Sequence, residues 1–184
     1  MKPFIFAVNA SSGGGKTTTT RALQKRLPNS KALYFDDRNY DSDSGIYDIV
    51  KWVEDGADVN LWDLKRLADD IESLKRENLD FIIMDYPFGY KHNLIGPYLD
   101  CSVFIDTPLD IALARRTIRD YDERTAAAAI FEDMKYYLEH GRGAYLYGRD
   151  EGRAAADFIV NGGLPLREIV ERISAKVMNV KASN

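Results

Sequence analysis

The chain has 184 residues and 45% of them are hydrophobic, enough for one domain spanning 1–184 to bury a core without disulfides or metals. The balance of 25 basic against 29 acidic residues gives a formal charge of −4, which argues against a nucleic-acid partner. Cys101 is the only cysteine, so an intramolecular disulfide and a cysteine zinc site are excluded and a reducing, cytoplasmic compartment is expected. No apolar run approaches the roughly 20 residues of a membrane helix, so no membrane partner is expected either.

In chain order, Phe4 to Val8 is the first of five short, continuously apolar runs, and continuity rather than alternation marks strands buried on both faces. It runs into a glycine-rich segment, Asn9 to Thr17, and then a helical pattern over Thr18 to Leu27. The second run is Ala32 to Phe35. Leu61, Leu64, Leu67, Ile71 and Leu74 then recur at three and four residues, which predicts a helix from about Leu64 to Asn78. Phe81 to Met84 and Val103 to Ile105 are the third and fourth runs. Thr107-Pro108-Leu109-Asp110 supplies a capping hydroxyl, a first-turn proline and a carboxylate ahead of a helix whose apolar positions are Ile111, Ala114 and Ile118. The fifth run is Phe158 to Val160. Asn161-Gly162-Gly163 then turns the chain into a last helix through Leu166, Ile169, Val170 and Ile173, with Lys181 to Asn184 expected to fray. Strands alternating with helices predict an α/β fold, a parallel sheet of about five strands with helices on both faces.

The glycine-rich segment carries the strongest chemistry. Ser11, Ser12, Gly13, Gly14, Gly15, Lys16, Thr17 and Thr18 lie between a strand and a helix. There, glycines let backbone N–H groups converge on an anion and the helix start adds its own free donors. Lys16 would reach the outer phosphates of a nucleotide and the Thr17 hydroxyl would bind magnesium. Ala10 stands where the strict pattern has glycine.

Ligands of an open parallel sheet sit at the carboxyl ends of its strands, so acidic residues there come next. Asp85 closes the third run, where a carboxylate can hold magnesium. Asp36 and Asp37 close the second, where one of the two can accept a proton from an attacking hydroxyl. Arg116 and Arg119 share a helix face, with Arg115 beside them and Arg124 just beyond, and guanidinium groups match the charge spread over a transferring phosphoryl group. Tyr40, Asp37 and Asp63 are weaker candidates for acceptor contacts. Tyr136, Tyr137, Tyr145 and Tyr147 read as packing and surface, Trp52 and Trp62 as core anchors, and His92 and His140 as too isolated to hold a metal.

With these residues placed, the chain resembles the uridine kinase-like branch of the P-loop nucleoside kinases. Val8 to Thr18 is similar to the family's phosphate loop, Phe35-Asp36-Asp37 with Tyr40 to its catalytic aspartate segment, and Asp85 to its acidic position, usually glutamate. Val103 to Asp120, ending at Glu123-Arg124, resembles its strand, helix and lid, and Ala155 to Gly162 its final strand. The resemblance implies a P-loop kinase fold with a short helical lid around 115–128, using ATP and Mg2+ on a small-molecule acceptor. It implies that Thr17, Asp36 and Asp85 surround the metal and that Asp36 is the base. It also implies that Lys16, Arg115, Arg116, Arg119 and Arg124 serve the nucleotide and its phosphates.

Three departures stand against it: Ala10, the absence of a second lid arginine after Arg124, and a single helix between Asp63 and Phe81 where the family has a pyrimidine-contacting hairpin. Two other readings of the same loop are a nucleotide-hydrolysing regulatory ATPase and a catalytically weak nucleotide-binding module. A homo-oligomer is compatible with the sequence.

Overall fold

A computed structural model describes residues 2–36, 40, 46 and 48–183. Its sheet is built from β1 (Phe4–Asn9), β2 (Ser30–Tyr34), β3 (Phe81–Asp85), β4 (Cys101–Asp106) and β5 (Phe158–Asn161); four of them enclose an apolar run, and β2 stops one residue short of the end of its run at Phe35. All pairings are parallel and the spatial order is β2-β3-β1-β4-β5. The helices are α1 (Lys16–Arg26), α2 (Ile49–Glu54), α3 (Lys65–Lys75), α4 (Leu109–Asp120), α5 (Ala127–Tyr136), α6 (Arg142–Ala154) and α7 (Leu166–Ser183), with a π-helical turn at Tyr137–Gly141.

The continuous apolar runs follow from burial on both faces. Phe4, Phe6 and Val8 join Leu23 of α1 and Ile169, Val170, Ile173 and Val177 of α7 in one core. Ile5 and Ala7, pointing the other way, join Leu67 and Ile71 of α3 in a second core with Leu33, Ile82 and Met84. None of the described helices is long and apolar enough to cross a membrane.

Three sequence expectations change. Lys181 to Ser183 continue α7 rather than fray, because the Lys181 ammonium donates to the Asp80 carboxylate at 2.9 Å and to its carbonyl oxygen at 3.1 Å. α4 starts where Thr107-Pro108 predicts, but Pro108 is the N-cap and no side chain caps the helix; the Thr107 hydroxyl bonds elsewhere. Ile118 and Ala114 are not on a core face: Ile118 is 79% exposed, and the buried residue of α4 is Ala112. The small Ala112 lets α4 lie directly against the glycine loop, while Ile118 to Asp120 at the far end of the helix are exposed. The stretch from Asp63 to Phe81 holds α3 as its only α-helix or strand, as expected.

β1 lies between β3 and β4, so the chain reverses its direction of travel across the sheet there, and the crevice outside that reversal is where such sheets bind ligands. Register sets the depth of that crevice. Val8 pairs with Asp85 and Asp85 with Tyr34, which levels the carboxyl ends of β1, β2 and β3.

Candidate active site

The glycine loop leaves the end of β1 and closes a turn in which the Gly14 N–H donates to Ser11 O at 2.8 Å. Gly13 has φ +77°, and a Cβ there would come within 2.0 Å of Ala112 O, so only glycine permits both the turn and the close approach of α4. Ala10 is buried and its φ is not positive, so its methyl costs no backbone strain. Its space comes from position 14, where a Cβ would lie 2.8 Å from that of Ala10. Among the described residues, the N–H groups of Gly13, Gly15, Lys16 and Thr17 donate to no other backbone or side-chain acceptor, leaving a cluster of donors at the start of α1.

Four side chains converge beside it. Lys16 Nζ lies 2.6 Å from Asp85 Oδ1 and 3.6 Å from Asp36 Oδ2. The Thr17 hydroxyl donates to Asp85 Oδ2 at 2.6 Å. The Asp85 carboxylate is 1% exposed, Lys16 12% and Asp36 69%, so charge is buried on the strand side and open toward solvent on the Asp36 side. The Lys16 contact lacks hydrogen-bond alignment at Oδ1, which makes it an ion pair that leaves acceptor capacity on a buried carboxylate. Buried carboxylate and hydroxyl oxygens of this kind suit a hard divalent cation such as Mg2+.

Asp37 lies outside the described residues. Tyr40 does not face the crevice: its side chain is buried beside Phe35 and its hydroxyl donates to Asp70. Asp63 is exposed and accepts from the Lys65 N–H at the start of α3; it lines a separate cavity of ≈ 280 Å³ with Trp62, Lys65 and His92. His92 is itself committed, Nε2 to Trp62 O at 3.0 Å and Nδ1 accepting from the Leu94 N–H.

The arginines divide by how firmly they are held. Arg116 binds Asp133 through two contacts, 2.8 and 3.1 Å, and Asp120 at 3.3 Å, bracing α4 against α5. Arg119 pairs with Asp120 and is 61% exposed, and Arg124 pairs with Asp122. Surface pairs of that kind contribute at most about 1 kcal/mol and are readily exchanged for another anion.

Arg115 lines a groove of ≈ 260 Å³ with Gly14, Gly15, Thr18, Thr19, Leu164, Leu166 and Ile169. No sequence motif marks this groove; the only signal is Leu164 and Leu166 flanking the proline after the last turn. A second feature without a motif is the aromatic wall beside Asp36, where Phe35 meets Trp62 and Tyr86 at 5.9 Å and Phe88 at 5.7 Å between ring centroids.

No protein-family model matches the chain. It is 24% identical to a uridine kinase of Streptococcus agalactiae, covering 97% of this chain and 96% of that one, and 25% identical to a uridine kinase of Streptococcus uberis, covering 98% and 97%. Among solved structures it superposes on a shikimate kinase from Aquifex aeolicus with a TM-score of 0.54 at 17% identity, covering 97% and 98% of the two chains. A deoxyadenosine kinase from M. mycoides gives 0.56 at 16% identity, covering 96% and 100%. The chain is similar over its full length to uridine kinases and has the fold of P-loop kinases. The alignment with the S. agalactiae enzyme runs to 203 positions, more than the 184 residues present here, so that relative carries segments this kinase lacks.

Proposed function

We propose that this kinase moves the γ-phosphoryl group of ATP to a hydroxyl of a small nucleoside-like alcohol, without strong selection for pyrimidines. The observation that carries the reading is the Asp36 carboxylate, 3.6 Å from the phosphate-loop lysine and open to solvent, level with the buried Thr17–Asp85 pair. An acceptor hydroxyl approaching from the solvent side would meet Asp36 before it met the phosphate.

The residue roles follow. The free N–H groups at the start of α1 bind the phosphate oxygens, and Lys16 exchanges its carboxylate partners for the outer phosphates. Thr17 and Asp85 would hold Mg2+, with Asp36 near enough to join through water; the ion, when bound, neutralises charge on the outer phosphates. Asp36 takes the proton from the acceptor hydroxyl. The groove under Arg115 seats the base of the donor, its flat apolar side on Leu164 and Leu166 and its other face under the guanidinium. Arg119 is released from its surface pair to meet the charge that develops on the transferring group.

Arg119→Ala should therefore lower turnover by about 10–100-fold while changing ATP affinity by no more than about twofold. Steady-state kinetics beside direct ATP titration check this, and equal kinetics would leave Arg119 as a solvated ion pair.

The reading is tested by ADP release against a panel of nucleosides, sugars and vitamin-like alcohols. At least one hydroxyl compound should raise the rate well above basal hydrolysis, with uridine and cytidine not favoured over purine nucleosides, because the segment from Asp63 to Phe81 has only α3. Efficient uridine phosphorylation with rejection of purine nucleosides would overturn the selectivity, and no stimulation by any hydroxyl compound would overturn the transfer.

A further inference from the structure

Thr107 sits where a helix cap is expected but caps nothing. Its hydroxyl, on a residue only 2% exposed, donates to the carbonyl oxygen of Gly14 at 2.8 Å, across 93 residues of chain. We propose that Thr107 is a positioning residue that fixes the Gly14–Gly15 peptide so that the Gly15 N–H faces bound phosphate. Gly162 supports it from the next strand.

In a trans peptide the C=O and N–H point to opposite sides, and none of the described peptides is cis. Anchoring Gly14 O toward the β4–α4 connection therefore turns the Gly15 N–H the other way. The other end of Gly14 is also fixed, by its own N–H bond to Ser11 O, so the peptide has little freedom to flip. The Gly15 N–H makes no bond to any described acceptor, which is the state expected of a donor kept for a ligand. Without the anchor this glycine-rich loop would have to order itself on binding, and ordering a backbone is costly.

Gly162 is the second half of the device. Its N–H donates to Asp106 O at 2.9 Å, holding the turn after β5 against the end of β4. A Cβ at 162 would lie 1.8 Å from Thr107 Oγ1 and 2.8 Å from its Cα, so glycine there is what leaves the hydroxyl its place. The same turn leads into Leu164 and Leu166, so the phosphate donors and the floor of the base groove are referenced to one point.

The proposal rests on the loop being an anion site, the core of the ATP reading, and the probes separate the two. Thr107→Ala removes the hydroxyl without adding bulk, Thr107→Val removes it at nearly constant shape, and Thr107→Ser retains it. Titration calorimetry with inorganic tripolyphosphate should show about tenfold weaker binding for the alanine and valine variants, the loss expected for one charge-assisted donor set adrift. The serine variant should stay within about twofold of wild type, and adenosine affinity should be the same in all folded variants. A purely structural role would move adenosine and tripolyphosphate together and would overturn the proposal, as would a serine variant as weak as alanine or an alanine variant as tight as wild type. Should valine fail to fold, alanine decides. A wild type that binds tripolyphosphate but not ATP sinks the ATP reading and leaves the alanine-to-serine ratio to judge Thr107. A wild type that binds neither overturns both.

Discussion

Asp36→Asn should lower phosphoryl transfer by about 10²–10⁴, the usual contribution of general-base catalysis, while leaving ATP affinity measured without magnesium nearly intact. The substitution keeps the size of the side chain and removes its ability to accept the acceptor's proton. It also removes the longer of the two ion pairs on Lys16, 3.6 Å, and retains the shorter one to Asp85, so the lysine keeps its place. Asp36 is largely exposed, and the protein should therefore lose little stability. Turnover and binding must come apart for the account to hold. Rapid-quench transfer beside magnesium-free ATP titration measures both. Asp37→Asn belongs in the same experiment: a dead Asp37→Asn with an active Asp36→Asn would move the base by one residue, and two active variants would remove it from the end of β2.

Lys16→Ala is expected to lose both binding and transfer. One charge-assisted contact to phosphate is worth roughly 1.5–3 kcal/mol in the ground state. The loss in turnover should be larger, about 10²–10³ on top, because the ammonium matters most as charge moves onto the leaving oxygen. Stability should also fall. Asp85 is 1% exposed and, among the described residues, would keep only the Thr17 hydroxyl as a side-chain partner, and stranding a buried charge costs about 3 kcal/mol. Asp85→Asn in the same background should recover much of that stability and none of the activity. Thermal melts of the single and double variants read the first, and ADP release the second.

The centre of the sheet was legible because β1, β3 and β4 are buried on both faces and so carry unbroken apolar runs; the edge strands β2 and β5 are only half-buried, yet they too lie where short apolar runs predict. Helices were legible only where burial imposes a period. α3 and α7 have buried stripes and were read, whereas α2 and α5 bury no residue and left no pattern to find. The apolar spacing of Ile111, Ala114 and Ile118 misled for a related reason: α4 packs through one small residue, Ala112, against a glycine loop, and a contact that depends on absent side chains has no hydrophobic signature.

The same distinction runs through the candidate site. Gly13 to Thr17 declares itself because one local segment carries the whole glycine-rich pattern and the free N–H groups at the start of α1. Asp36 and Asp85 could be singled out because each ends an apolar run, yet their common depth depends on a register the sequence does not state. The groove under Arg115 joins residues from the loop, from α1, from α4 and from the start of α7, and Thr107 reaches Gly14 from far along the chain. Local patterns give no access to pairings of that separation, which is why Thr107 looked like a helix cap.

The most direct measurement follows the terminal phosphoryl group itself. ATP labelled at the γ-position is mixed with excess kinase, magnesium and each acceptor of the panel, and the label is located after a single turnover. The account predicts label on a hydroxyl of at least one small-molecule acceptor, as an organic phosphate, in wild type and not in Asp36→Asn. Label recovered only as inorganic phosphate with every acceptor, at a rate that a partner protein raises and hydroxyl compounds do not, would contradict it and make this chain a nucleotide hydrolase.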